Sequence, residues 1–203
     1  MTDLATAAVA GIRHLIRGER VYLRPAERND LALFVRWLND AETASFLSMR
    51  APMSIASEEQ WFERLLGEQG KSRWHFVMCK LDGGQPIGTI GLFDLDEVNG
   101  SAGMGIVVGE KSLWGKGYGT DALNALLDFG FGELRLERIW LEVNDDNLRG
   151  KRSYEKCGFV YEGTERHAMY RDGRHRDLEL MSILRDEWAA LTRRRSWELA
   201  EPG

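Results

Sequence analysis

A strand-like run that empties into a loop with glycine at alternate positions, and from there into a helix, constrains this chain more than any other feature. Ile106-Val107-Val108 leads into Gly109-Glu110-Lys111-Ser112-Leu113-Trp114-Gly115-Lys116-Gly117-Tyr118-Gly119-Thr120, after which Leu123, Leu126 and Leu127 follow helical spacing. Glycines permit positive φ and leave no side chain between backbone and ligand. Successive N–H groups can then converge on an anion, and the helix N-terminus adds about half a positive charge at the same place. A pyrophosphate is the simplest ligand. A nucleoside triphosphate loop requires G-x-x-x-x-G-K-[ST]; here five residues separate Gly109 from Gly115, and Gly117 follows Lys116. A dinucleotide fingerprint requires G-x-G-x-x-G, whereas the spacing here is G-x-G-x-G, with Glu142 or Asp145 able to imitate its acid. Tight helix–strand packing is the alternative reason for the glycines.

The rest of the chain reads as one mixed α/β sheet. Arg20–Arg24 is a first strand ended by Pro25, and Asn29/Asp30 can cap a helix with Leu31, Phe34, Val35 and Leu38 on one face. A second helix is expected from Ser57, with Gln60 completing a capping box. Strands Trp74–Leu81, Ile87–Phe93 and Ala102–Val108 follow, punctuated by Asp82-Gly83-Gly84 and Asn99-Gly100. A helix over about Thr120–Gly130, a strand Arg138–Val143, a helix capped by Asn147 and ended at Gly158, and a closing pair around Asp172-Gly173 complete the order β-α-α-β-β-β-α-β-α-β-β. At roughly 100–200 residues per domain, the 203 residues make one domain over 19–190, with an extension over 1–18 and a tail over 191–203. Arg193-Arg194-Arg195 reads as a solvated helix end. The net charge of −5 speaks against broad electrostatic attraction to nucleic acid. No apolar run spans a membrane and no signal peptide is legible, so a cytoplasmic location is expected. Cys79 and Cys157 fit no ligand or redox spacing and read as reduced, partly buried thiols.

A second segment, Arg138 to Phe159, narrows the ligand. It carries Asn147, Ser153 and then Tyr154-Glu-Lys-Cys-Gly158-Phe159. With the loop, it closely resembles the GNAT superfamily of acyl-CoA N-acyltransferases. That family's phosphate loop is Q/R-x-x-G-x-G/A, matched by Trp114-Gly115-Lys116-Gly117-Tyr118-Gly119 with Trp in the first position, a variant similar to the Rim-type branch that acetylates ribosomal-protein N-termini and other amines. The downstream N-x-x-[SA] is matched loosely, since Ser153 comes six residues after Asn147, and Y-x-x-x-G-F is matched by Tyr154 through Phe159. The resemblance covers about residues 18–190. It implies a sheet of about seven strands with flanking helices, splayed between Ala102–Val108 and Arg138–Val143. It also implies acetyl-CoA as co-substrate and acetyl transfer to a primary amine in a ternary complex. Ile106, Val107 and Val108 then offer backbone groups to the pantetheine arm, Gly115 to Thr120 cradle the pyrophosphate, and Asn147 and Ser153 lie by the cofactor. A homodimer through an edge strand or the N-terminal arm is compatible with it.

Two proton problems follow. At pH 7.5 an α-amino group of pKa ~7.8 is roughly one-third neutral, whereas a lysine of pKa ~10.4 is about 0.1% neutral, so the latter needs more help from a base. By resemblance, Tyr154 is the donor to the leaving thiolate. Glu142, alternating with Leu141 and Val143, is the candidate base, with Glu162, Glu165, Asp177 or a water chain as alternatives. Trp37 and Trp74 are candidates to line the acceptor cleft, as is the polar turn Tyr170–Asp177. His14, His75, His167 and His175 form no ligand pattern, so no metal is expected. A non-catalytic acyl-CoA-binding module and a transferase of a larger acyl group such as succinyl remain as alternatives.

Overall fold

Alternating strands and glycine turns lay down most of the sheet. The computed structural model describes residues 16–49 and 51–200. Its strands are β1 (Ile16–Arg17), β2 (Val21–Pro25), β3 (Trp74–Lys80), β4 (Pro86–Asp96), β5 (Ser101–Val108), β6 (Arg138–Asn144), β7 (Val160–Arg171) and β8 (Arg174–Leu184). They form one sheet in the order β1-β2-β3-β4-β5-β6-β8-β7, antiparallel at every junction but β5–β6. The expected class, mixed and mostly antiparallel α/β, is the one observed. The strand beyond the expected seven is β1, whose two residues are too few to show alternation and which pairs with Tyr22 and Leu23. The expected arm over residues 1–18 falls, up to residue 15, outside the described residues.

Alternation assigns the two faces. Val21 and Leu23 of β2 and Phe76 and Met78 of β3 pack in one cluster with Leu123, Leu126 and Leu127 of the helix Tyr118–Asp128. Tyr22, Val77 and Cys79 pack on the other face against Phe34, Trp37, Phe62 and Leu65. These come from α1 (Leu31–Leu38) and α3 (Ile55–Glu68); between them lies the short α2 (Ala41–Ala44), and Tyr118–Asp128 is α4. Asp30 precedes α1 without capping it. Its carboxylate instead takes a bidentate bond from Arg24, 2.7 Å on each oxygen. α3 begins a turn earlier than expected, because Ser54 and Ser57 form a reciprocal cap. Glu58, Phe62 and Leu65, spaced i, i+4, i+7, form its buried stripe.

The remaining helices are α5 (Leu148–Lys156), α6 (Arg185–Ala190) and α7 (Ser196–Ala200). The expectation of a solvated arginine run at the C-terminus is corrected here. Arg193 donates to both oxygens of Asp128, at 2.6 and 2.8 Å, and Arg195 donates to the carbonyls of Trp188, Ala189 and Leu191. Asp128, 1% exposed at the end of α4, also accepts from Trp188 Nε1 and from the Ser196 N–H. Ser196 Oγ in turn donates to the Arg17 carbonyl and accepts from the Arg17 N–H. Residues on both sides of the expected 18/19 and 190/191 boundaries are thus tied to the domain. Cys79 and Cys157 are free and fully buried.

One junction positions the site. β5 and β6 pair only at Ser101–Arg138, Ala102–Ile139 and Gly103–Trp140. Beyond Gly103 the strands part, as the resemblance implies, and β6 continues on β8 while β5 continues on β4.

Candidate active site

The parted strands open a cleft of about 740 Å³. α1 and α3 line it with Phe34, Trp37, Glu58 and Trp61. Trp74, His75, Gly91, Met104 and Ile106 of β3 to β5 also line it, and Trp140, Glu142, Asn147 and Tyr154 complete the wall beyond the splay. Trp37 and Trp74 therefore stand where they were expected. The Tyr170–Asp177 turn does not line the cleft itself but abuts its wall, with Arg171 donating to the carbonyl of Leu47, a lining residue.

The backbone of β5 divides by residue parity. Gly109 N–H donates to Ile87 O, and the Val107 carbonyl lies so close to Gly88 that a Cβ there would come within 2.0 Å of it. In an antiparallel ladder alternate residues turn their polar groups to opposite sides. The polar groups of Val107 therefore turn to β4 and those of Ile106 and Val108 to the opposite side, while Ile106 and Val107 are among the residues that line the cleft. Val108's carbonyl is already engaged, accepting from Trp114 Nε1 at 2.6 Å. Trp114 is held from its other face by Arg149, whose guanidinium sits 3.7 Å from the ring centroid and is shared with Phe46. Burial lowers the Arg149 pKa from its ordinary value. The tryptophan that marks the loop variant thus fastens the loop to β5.

The glycines serve different ends. Gly115 and Gly117 have φ of +72° and +86°, the left-handed region, and Gly117 is the N-cap of α4. Gly109 is a packing glycine, since a Cβ would lie 2.2 Å from the Trp37 ring. Past Gly117, the N–H groups of Tyr118, Gly119 and Thr120 have no hydrogen-bond partner among the described residues, and the first intrahelical bond is Asp121 N–H to Gly117 O. Three orphan donors at a helix start are a ready anion site. Lys116 is exposed beside them. Arg20, a residue the sequence did not single out, adds a second cation by donating to the Lys116 carbonyl at 2.8 Å. The Asp121 carboxylate fixes this corner by accepting from the N–H groups of Glu19, Arg20 and Val21.

On the far side, Asn147 caps α5 by accepting from Gly150 N–H at 2.9 Å, and its Nδ2 has no partner among the described residues. Ser153, expected by the cofactor, bonds back to Arg149 O within its own helix and is not among the residues lining the cleft. Tyr154 packs edge-on against Phe159, the contact that joins the two ends of the Y-x-x-x-G-F motif around Gly158, whose φ is +93°. Burial pushes the Tyr154 phenol up to about 12. Glu142 lines the cleft, its carboxyl raised first by burial and then by the Glu165 charge. The other candidate bases are placed less favourably. Glu162 pairs with Arg138 and Ser182, and Asp177 accepts from His167 N–H. Among the described residues, no group of three or more His, Cys, Asp or Glu could hold a metal ion. None of their helices is long and apolar enough to cross a membrane.

Glu58 was missed in the sequence because it sits in the polar run Glu58-Glu59-Gln60. Its i, i+4, i+7 spacing with Phe62 and Leu65 was the available signal.

Comparison with known proteins agrees with this geometry. The family model described as an acetyltransferase (GNAT) domain matches residues 20–160. Spermidine N(1)-acetyltransferase of Vibrio cholerae is 28% identical over 166 residues, covering 82% of this chain and 94% of that protein. YdaF of Bacillus subtilis, provisionally named a ribosomal N-acetyltransferase, is 36% identical over 153 residues, covering 75% and 79%. The crystal structure of the Vibrio cholerae spermidine N-acetyltransferase with CoA and spermine superposes with a TM-score of 0.77 at 27% identity, covering 83% of this chain and 98% of that one. A splayed sheet, a phosphate-ready loop at its mouth and a matched family domain converge: the chain belongs to the GNAT acetyltransferase family and is an acetyl-CoA-dependent N-acetyltransferase.

Proposed function

We propose that this chain acetylates a primary amine by direct attack with both reactants held in the 740 Å³ cleft, and that within the family it belongs to the Rim-type branch. The observation that carries the reading is the conjunction, around one splay, of three orphan N–H donors, the β5 residues Ile106 and Val107 that line the cleft, and the partly buried Tyr154. Acetyl-CoA, when bound, supplies an acyl group activated as a thioester. Tyr118, Gly119 and Thr120 hold the pyrophosphate on their N–H groups, aided by Lys116 and Arg20. Ile106 and the Val108 N–H orient the extended arm, and Asn147 Nδ2 offers a further donor. Holding the arm and the amine in one cleft removes the bimolecular orientation cost. Tyr154 gives a proton to the departing sulfur. Glu142 takes one from the incoming amine, and its raised carboxyl makes it a better base than an ordinary carboxylate. Fastening of the loop by Trp114 supports the Rim-type placement.

Two measurements test this. Calorimetric titration with acetyl-CoA should show micromolar binding, with NAD and ATP silent. Gly117→Val should weaken it by about ten- to hundredfold, because a β-branched residue resists the +86° φ that aims the N–H groups. Binding of NAD without acetyl-CoA would overturn the assignment. In initial-rate assays, Glu142→Gln should lower kcat/KM by roughly tenfold or more for an amine of pKa ~10.4 and by less for an α-amine of pKa ~7.8. An equal loss for both would remove the base role.

A further inference from the structure

Glu58 is the feature that acetyl transfer itself does not use. It lies in the first turn of α3, is 3% exposed, and lines the cleft with Trp61, one helical turn on. Its carboxylate has no hydrogen bond and no ion pair among the described residues. A carboxylate removed from water without a partner is strongly disfavoured. Burial alone raises its pKa. Elsewhere in this chain buried carboxylates are paired: Asp30 with Arg24 and Asp128 with Arg193. Two arginines, Arg64 and Arg73, line the same cleft, but neither forms an ion pair with Glu58. His75, stacked edge-on against Trp61 at 4.9 Å, is pushed down to about 4 by burial first and then by Arg73, and is therefore neutral. Arg73 itself is engaged by Glu68. Two polar atoms at the same cleft, Trp74 Nε1 and His75 Nε2, are buried without partners. The walls between are the faces of Phe34, Trp37 and Trp61, which suit an alkyl chain and attract an ammonium.

We infer that Glu58 binds a second, non-reacting ammonium group of the acceptor, so that the enzyme selects amines carrying two cationic nitrogens joined by an apolar spacer. This deepens the proposed amine acetylation and rests on it for the position of the reacting nitrogen. Glu58 stands on α3, whereas Tyr154 and Glu142 stand on α5 and β6 beyond the splay. One nitrogen cannot be both the neutral nucleophile by Tyr154 and the cation on Glu58. The acceptor spans the cleft, and its length is read by the distance between the two stations.

The test compares cadaverine, a diamine, with pentylamine, which has the same chain and one nitrogen. In the wild-type protein saturated with CoA, calorimetry should show cadaverine binding about ten- to hundredfold more tightly than pentylamine, the worth of a charge-assisted bond. Glu58→Gln, similar in size and shape, should bring the two affinities to within about threefold. The ratio of kcat/KM for the two amines should collapse in the same way, through KM. Retained acetyl-CoA affinity shows that the variant is folded. Equal affinity for both amines in the wild type, or a preference that survives Glu58→Gln, overturns the inference. Selective cadaverine binding without acetyl transfer leaves the Glu58 assignment standing and overturns the proposed acceptor chemistry instead.

Discussion

Replacing Tyr154 by phenylalanine is expected to lower kcat by about 10²–10⁴-fold, the usual worth of a positioned proton donor, with acetyl-CoA affinity nearly unchanged. The ring stays, so its packing against Phe159 and the core is kept. Only the hydroxyl is lost, and it makes no hydrogen bond among the described residues. A structural role would therefore show as lost stability, whereas a catalytic one shows as lost turnover. The pH profile separates the two further. Burial holds the phenol at about 12, against an ordinary value of 10.0, so Tyr154 keeps its proton throughout any practical assay. The rate should rise with pH as the acceptor amine deprotonates and should show no descending limb at pH 9–10 from this group. A phenol whose folded-state pKa is raised contributes stability that is complete below pH 10 and is lost as pH climbs from there to about 12. Thermal unfolding of wild type and Tyr154→Phe across that range should show the wild type losing stability as the pH rises and the variant showing no such loss from this position. A Tyr154→Phe enzyme with wild-type kcat would remove Tyr154 from the mechanism.

Asp128→Ala is expected to cost about 3–5 kcal/mol of stability, as breaking a buried ion pair does, which for a chain of this size is roughly 6–20 °C in Tm. The truncation strands four donors at once: the Trp188 indole N–H, two guanidinium nitrogens of Arg193 and the Ser196 N–H. Asp128→Asn keeps the shape and some of the bonds, so it should fall between alanine and wild type. Because Ser196 also holds Arg17, the edge pairing of β1 with β2 should loosen in the alanine variant. Hydrogen exchange at Ile16 to Leu23 reads this directly. If Asp128→Ala melts within about 2 °C of wild type, the knot contributes little.

Much of this architecture was legible because the relevant physics is local. The loop glycines, the Asn147 cap and the Tyr154-to-Phe159 run each sit inside a few residues of sequence and were assigned to their elements from spacing alone. Glycine chemistry could also be anticipated, but not its division of labour. Whether a glycine serves φ, as Gly117 does, or clearance, as Gly109 does, depends on a Trp37 ring that is distant in sequence. Glu58 escaped for a different reason. In an acidic run it looks solvated, and only its i, i+4, i+7 relation to Phe62 and Leu65 marks it as facing inward. Arg193 and Arg195 look like a charged tail until Asp128, far back along the chain, is seen to face them. Ser153 matched a spacing but spends its hydroxyl inside its own helix. Long-range partners, which leave no periodic trace, account for Gly109 and for the two arginines, whereas Ser153 and Glu58 turn on local helix geometry.

The parting of β5 from β6 also bears on which molecules can reach the backbone there. An unpaired strand edge at the rim of a sheet recruits foreign strands and seeds aggregation. Here the open edge runs only from Met104 to Val108 and is set in the middle of the sheet, with β6 and α5 standing opposite and Trp114 fastened over its end. A strand brings side chains on both faces and needs neighbours behind it, so the gap is too confined to seat one. A slender, nearly unbranched arm with amide groups along its length meets neither obstacle. The gap therefore sorts its visitors by cross-section, and the protein can keep an adhesive edge permanently open without becoming sticky.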